Sequence, residues 1–249
     1  MIFKEYFLIL LSIHVLGDFY FQSSYMAEKK VLSIKWVMIH SVYYWAAAII
    51  ISLPVISWDI ILLGMLAALF HMIIDILKYL GISRFKDKIT FSEAGIFFVD
   101  QAMHIICLIF LAYIFTVKTG KMSLCSGIAY FFTVTGIQGD VVVSWVTALL
   151  IIHKPANILI SKMLSSYKPD DKDRNIEQDN NAGRFIGTVE RLIILIFISI
   201  DQYAAIGLVL TAKSIARYDK IVSKPAFAEY YLLGTLLSTV TAVIASFAL

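Results

Sequence analysis

Apolar runs of about twenty residues recur along this chain, and they leave little freedom in what it can fold into. Residues 32–53, 58–80, 93–117 and 230–248 each approach or exceed the roughly 20 residues that cross a bilayer as a helix. In hydrocarbon every backbone group needs an internal partner, so only helices and closed barrels span it. A barrel strand alternates apolar and polar residues, whereas these runs are continuous, so they predict helices. Composition agrees: 60% of residues are hydrophobic and 16% are charged, against about 25% charged in an ordinary soluble domain.

The expected fold is all-α, a polytopic transmembrane helical bundle. It has about six full spans and a short helical hairpin near 184–218. The first helix covers 3–22 and shows no signal-peptide cleavage pattern, so it is read as part of the mature protein. The second, 32–53, stops at Pro54. The third, 58–80, precedes Gly81, a plausible cap. The fourth follows Ser92-Glu93, a good N-terminal signal, and ends near 117. The mixed, aromatic stretch 118–139 reads as a loop with an interfacial or partly inserted segment. A fifth helix starts near Val141 and bends or breaks near Pro155. The polar run 168–181 reads as a solvated loop. The stretch 184–218 is too long for one span and holds Asp201-Gln202 at its centre, so it reads as two short helices turning near 200–203. Four regions result: 1–117, 118–165, 166–183 and 184–249.

Charge supplies orientation. Lys and Arg cluster at 29–35, 78–88, 162–191 and 213–224, and the positive-inside rule places these on the cytoplasmic side of a bacterial inner membrane. A net charge of +3, scattered through loops, gives no nucleic-acid footprint. Cys107 and Cys125 form no disulfide framework and read as packing residues. No nucleotide-binding loop or haem motif occurs, so no nucleotide or organic cofactor is expected.

Histidines and aspartates recur inside the first four apolar helices. Helix one carries His14 and Asp18, helix two His40, helix three His71 and Asp75, and helix four Asp100 and His104. Three His/Asp pairs are thus spaced i,i+4, which puts both side chains on one helical face. Aspartate fills 12 of 249 positions, so a random histidine would have one at this spacing roughly one time in ten. With alternating helix directions, all seven residues converge on the same half of the membrane. An ionised Asp in lipid costs several kcal/mol unless partnered. A divalent metal is one such partner, and imidazole with carboxylate suits Zn²⁺, Mn²⁺ or Fe²⁺, as one ion or two. The competing explanations are buried His–Asp pairs that tie helices together, or a proton relay. His153, the fifth histidine, has no Asp at this spacing and reads as an interfacial helix-end residue.

A second polar set lies in the C-terminal part: Arg184, Glu190, Arg191, Lys213 and Arg217. Its plain reading is orientation charges and salt bridges. Its functional reading is a cationic lining for an anionic head group, since Arg suits bidentate phosphate contact. Gly187, Gly207 and Gly234 read as positions of close helix packing.

The pattern His14-x-Leu16-Gly17-Asp18-Phe19-x-x-Gln22, the later Asp100-Gln101-x-x-His104, and the C-terminal runs 181–191 and 212–217 resemble an uncharacterised family of bacterial and phage membrane proteins, a domain of unknown function. The resemblance covers essentially the whole chain and implies no established activity. His71-x-x-x-Asp75 with His40-Ser41 also looks like short elements of membrane-bound metal-dependent hydrolases of bacteria.

The resulting expectation is an integral-membrane metal-dependent hydrolase. Its expected substrate is a lipid or other membrane-soluble anionic molecule, by preference a phosphate ester of a lipid or isoprenoid, acted on at the cytoplasmic side. His14, Asp18, His40, His71, Asp75, Asp100 and His104 supply the ligands, and Asp18 or Asp100 is the base on the attacking water. The alternative is a transporter or proton-coupled channel using the same residues as a relay or ion site.

Overall fold

The computed structural model describes residues 2–55, 58–84, 92–119, 124–168 and 176–249, with the backbone alone for 176–181. Every regular element among them is helical. Five helical stretches are long and apolar enough to cross a membrane: Ile34–Val55, Trp58–Arg84, Glu93–Thr119, Gly139–Met163 and Pro225–Ser246. Large apolar side chains face outward along them, among them Val42, Leu77, Ile106, Phe110, Leu232 and Ile244. A soluble protein would bury such a belt, whereas lipid is an apolar solvent for it. This is an all-helical membrane protein.

The chain forms two compact units, 1–147 and 148–249. In the first, α1 (Ile2–Val15) runs directly into a π-helical turn, Leu16–Phe21. A short helix that the apolar pattern does not announce follows, α2 (Ser24–Leu32), started by Ser23, whose Oγ accepts from the Met26 N–H. Then come α3 (Ile34–Ser52), a 3₁₀ turn at Leu53–Val55, α4 (Trp58–Arg84) and α5 (Glu93–Thr119). Ser92 Oγ caps α5 through the Gly95 N–H. The expected interfacial stretch contains a helix, α6 (Ser126–Thr135), closed by Gly136 in the left-handed conformation at φ 69°; its residues 120–123 lie outside the described set. α7 (Gly139–Ile152) crosses the division between the units.

In the first unit α1, α3, α4 and α5 pack on one another, and α2 lies against α3 and α4. One inward stripe explains both the core and the site. On α4 the buried positions Leu63, Ala67, His71 and Asp75 follow one another at i,i+4. On α5 they are Asp100, His104, Leu108, Leu111, Ala112 and Phe115. Each stripe is apolar along part of its length, where Tyr6, Leu10, Ile13, Tyr44 and Ala48 meet it. It turns polar where it continues. The same helical face that builds the core therefore carries the ionisable residues into the interior.

In the second unit the chain breaks at His153 and resumes as α8 (Lys154–Met163), with Pro155 in its first turn. The break falls where Pro155 predicts it. The polar run is shorter than expected: residues 169–175 lie outside the described set, and helical backbone begins at Ile176 rather than near 184. α9 (Ile176–Ser199) and α10 (Tyr203–Ile215) form the hairpin, turning at 200–202 with Asp201 at φ 56°. Asp tolerates that left-handed conformation better than most residues. α11 (Tyr218–Ser223) and α12 (Pro225–Ser246) close the chain, and α9 and α8 pack against α12.

Candidate metal centre

All seven His and Asp residues of the first four apolar helices are buried in the first unit and lie close together. The π turn carries Asp18 to the centre of the group. Such turns insert one residue into the helical phase and occur often at functional sites. Asp18 Oδ1 lies 3.0 Å from His40 Nε2 and 3.1 Å from His71 Nε2, and those two nitrogens lie 3.0 Å apart. Asp75 Oδ2 stands 3.6 Å from His40 Nε2 and 3.5 Å from His71 Nε2. One oxygen of Asp18 and one of Asp75 thus each lie close to both nitrogens of the His40–His71 pair, and His40, His71 and Asp75 can bring one ligand atom each within 4.8 Å of one another.

The remaining three residues surround this group. His14 Nε2 lies 3.2 Å from Gln101 Oε1 and 3.9 Å from Asp18 Oδ2. Gln101 Nε2 reaches toward Asp18 Oδ2 and Asp100 Oδ2, 3.4 Å from each. His104 Nδ1 donates to its own helix at Asp100 O, 2.8 Å away, and its buried Nε2 has no hydrogen-bond partner among the described residues. The rings of His71 and His104 are 4.3 Å apart, centroid to centroid. Among the described residues, buried Asp75 Oδ1 and Asp100 Oδ1 also accept no hydrogen bond, and Asp100 Oδ1 lies 3.9 Å from His104 Nδ1. Buried polar atoms are normally satisfied, so this concentration of them sets the group apart from an ordinary core. Asp75, Asp100 and His104 can bring one ligand atom each within 4.8 Å of one another, as can His14, Asp18 and His71.

Three residues outside the sequence-derived ligand set complete the centre. Lys30 Nζ contacts Asp75 Oδ2 at 2.7 Å, and Lys78 Nζ contacts Asp100 Oδ2 at 2.8 Å. These ammonium groups answer two of the three carboxylates, so the aspartates do not depend on a metal alone for charge compensation. Lys78 lies within the basic run read as an orientation signal. Nothing in the sequence ties Lys30, on α2, to Asp75. Tyr44 stacks on His71, with ring centroids 3.9 Å apart, and fixes the plane of that imidazole. Its place four residues after His40 gives the signal that would have found it. A Cβ added at Gly17 would meet the Tyr44 ring at 2.6 Å, which is why glycine precedes Asp18.

The C-terminal polar set lies in the second unit, where Glu190, Arg191 and Lys213 bond to neighbouring helices. Arg191 is 1% exposed. It donates to Ile152 O (2.7 Å), Asn157 Oδ1 (2.7 Å), Thr188 Oγ1 (3.2 Å) and Ser238 Oγ (3.3 Å). Its guanidinium is therefore committed to the protein rather than held open for an anion. Lys213 pairs with Glu190 at 2.6 Å and donates to Thr235. Arg184 and Arg217 are exposed. Gly187 leaves room for the Arg191 guanidinium and Gly234 for Leu164, whereas Gly207 faces open space, contrary to its reading as a packing position. His153 is exposed at the junction of α7 and α8.

Fold and site together define an all-helical membrane protein with a buried His/Asp centre enclosed by its N-terminal helices. The chain belongs to the family described as a protein of unknown function (DUF3307), whose profile matches residues 6–132. The matched stretch contains every residue of the centre. It agrees with the uncharacterised family that the His14–Gln22 and Asp100–His104 motifs resemble. No curated protein and no solved structure matches the chain.

Proposed function

We propose that the protein is an integral-membrane metal-dependent hydrolase of a bacterial inner membrane, acting on a phosphate ester of a lipid or isoprenoid alcohol. One observation carries the reading. A tetrahedral ion with ligand distances of about 2.0–2.1 Å separates its ligand atoms by about 3.3 Å. The five measured separations among Asp18 Oδ1, His40 Nε2, His71 Nε2 and Asp75 Oδ2 run from 3.0 to 3.6 Å. Hydrogen bonding alone serves this group poorly, because both imidazole nitrogens crowd one carboxylate oxygen and each other.

Two histidines and two carboxylates suit zinc, manganese or ferrous iron. A metal there supplies a Lewis acid and lowers the pKa of bound water. Asp100 stands outside the four-atom group with one oxygen that accepts no hydrogen bond among the described residues, which supports assigning it the proton of the attacking water. In the hydrolysis the water oxygen forms a bond to phosphorus and the phosphorus–oxygen bond to the alcohol breaks. The proton taken by the carboxylate then passes to the departing alkoxide. The apolar belt around the bundle suits a substrate whose alcohol is itself lipid-soluble. The basic runs between spans support the plasma-membrane assignment through the positive-inside rule.

The test is release of inorganic phosphate from lipid and isoprenoid phosphomonoesters by protein in nanodiscs. Activity that needs added metal and disappears in Asp100→Asn supports the proposal. Failure to hydrolyse any member of the panel with any of the three metals contradicts it.

A proton relay is the second reading, favoured by an unbroken line of polar contacts from His14 through Gln101, Asp18, His40 and His71 to Asp75 and Lys30. A relay moves protons across vesicles without metal, and proton flux into chelator-treated proteoliposomes would favour it.

A further inference from the structure

A small open cleft of about 20 Å³ reaches Asp75 at the edge of the centre. It is lined by Ala27, Lys30, Val37, Asp75, Lys78 and Tyr79, among others. Asp75 is thus reached from the side on which both lysines stand. The cleft lies where α2 meets α3 and α4, near the beginning of α3 and toward the end of α4.

Asp75 Oδ2 has two claims on it. It is the oxygen that Lys30 holds at 2.7 Å and also the oxygen that faces His40 and His71. One carboxylate oxygen cannot give its full charge to an ammonium and to a divalent cation together, since the two cations repel at this distance. Asp75 Oδ1, the alternative acceptor, is buried with no hydrogen-bond partner among the described residues. A metal ion bound at the four-atom group therefore weakens the hold on Lys30 and leaves its ammonium without full compensation beside Lys78, at the cleft.

We propose that Lys30 and Lys78 form an anion clamp that binding of the metal switches on, and that the anion is a phosphate group, free or at the head of a lipid. This rests on the metal-dependent reading above and names how its site recognises substrate. With the metal absent, each ammonium is neutralised by its aspartate and the cleft holds little net charge. Once the metal is bound, its two charges and the two ammonium groups outweigh the carboxylates of Asp18, Asp75 and Asp100 by one, and a phosphate anion offsets the excess. Lysine suits this role as a compact charge with three rotatable donors. Cation and phosphate then bind cooperatively, and by linkage each raises the affinity of the other by the same factor.

The lysines make the test sharp, because their loss moves two affinities in opposite directions. Full-length protein in phosphatidylcholine nanodiscs is stripped with chelator, then titrated with zinc and with radiolabelled inorganic phosphate in equilibrium dialysis. Wild type is expected to bind phosphate at least about tenfold more tightly with zinc than without, the scale of one charge-assisted contact. Lys30→Gln removes the competitor for Asp75, so zinc binds more tightly while phosphate binds about tenfold more weakly. Lys78→Gln, whose side chain is more exposed and whose loss threatens folding less, weakens phosphate binding, and Lys78→Arg restores much of it. Nanodiscs containing phosphatidic acid compete with the labelled phosphate if the natural anion is a lipid headgroup, and do not if it is free phosphate.

Phosphate binding that is equal with and without zinc, or unchanged in both lysine variants, overturns the clamp while leaving a metal site intact. A wild-type protein that takes up no zinc, manganese or ferrous ion overturns the metal reading and the clamp with it.

Discussion

The Nε2 atoms of His40 and His71 lie 3.0 Å apart and both face the same oxygen of Asp18, at 3.0 and 3.1 Å. Two imidazoles from different helices do not meet edge to edge around one carboxylate for packing reasons, since apolar residues fill such a space at lower desolvation cost. The triangle gives Asp18 the central role. Asp18→Asn keeps the volume and removes the anion, and metal affinity should fall by at least about a hundredfold, beyond the usual loss from an outer-sphere change. Isothermal titration of zinc into chelator-stripped protein checks this.

Lys30 and Asp75 form a buried pair, with side chains 10% and 1% exposed. Removing one member leaves the other charged and buried, which costs about 3–5 kcal/mol, whereas removing both together costs much less. In metal-free protein Lys30→Met should therefore lower thermal stability more than the double variant Lys30→Met, Asp75→Leu. A double-mutant cycle by thermal unfolding in detergent reads the difference.

Gly17 packs against the face of the Tyr44 ring. An alanine there would place a methyl carbon 2.6 Å from the ring, and the ring cannot retreat without losing its stack on His71. Gly17→Ala should cost about 1–3 kcal/mol as an overpacked position and weaken metal binding through the displaced imidazole. Thermal unfolding and zinc titration on the same variant check both.

Much of this was legible in the sequence. The spans show because continuous apolar runs have one physical reading in a bilayer, and the i,i+4 spacing of His14/Asp18, His71/Asp75 and Asp100/His104 shows which faces turn inward. The break before Pro155 and the turn at Asp201 follow from backbone chemistry. The lysine partners did not show. Lys30 lies 45 residues from Asp75, on a short helix whose apolar content is too low to mark it, and a tertiary ion pair leaves no periodic trace. Lys78 does sit one turn beyond Asp75, but a basic residue near a helix end also fits an orientation signal. Arg191 misleads for the opposite reason: a conspicuous cation in a polar motif reads as a ligand contact, while its donors reach Ile152, Asn157, Thr188 and Ser238.

That arginine makes a prediction of its own. Arg191→Met leaves Asn157 Oδ1 and the Ile152 carbonyl without their donor, and loss of a buried partner costs about 1–3 kcal/mol. Arg191→Lys should recover little, because one ammonium cannot span four acceptors that a planar guanidinium reaches at once. Thermal unfolding of both variants decides it.

Elemental mass spectrometry of the purified protein measures directly whether the four-atom group holds a metal. Wild type, refilled with zinc, manganese or ferrous iron in turn and desalted, should retain at least about one equivalent of one of them. His71→Ala, which removes a ring that touches both Asp18 and Asp75, should retain little. Wild-type protein free of all three metals after refilling, or a His71→Ala variant that holds as much as wild type, would contradict the central claim.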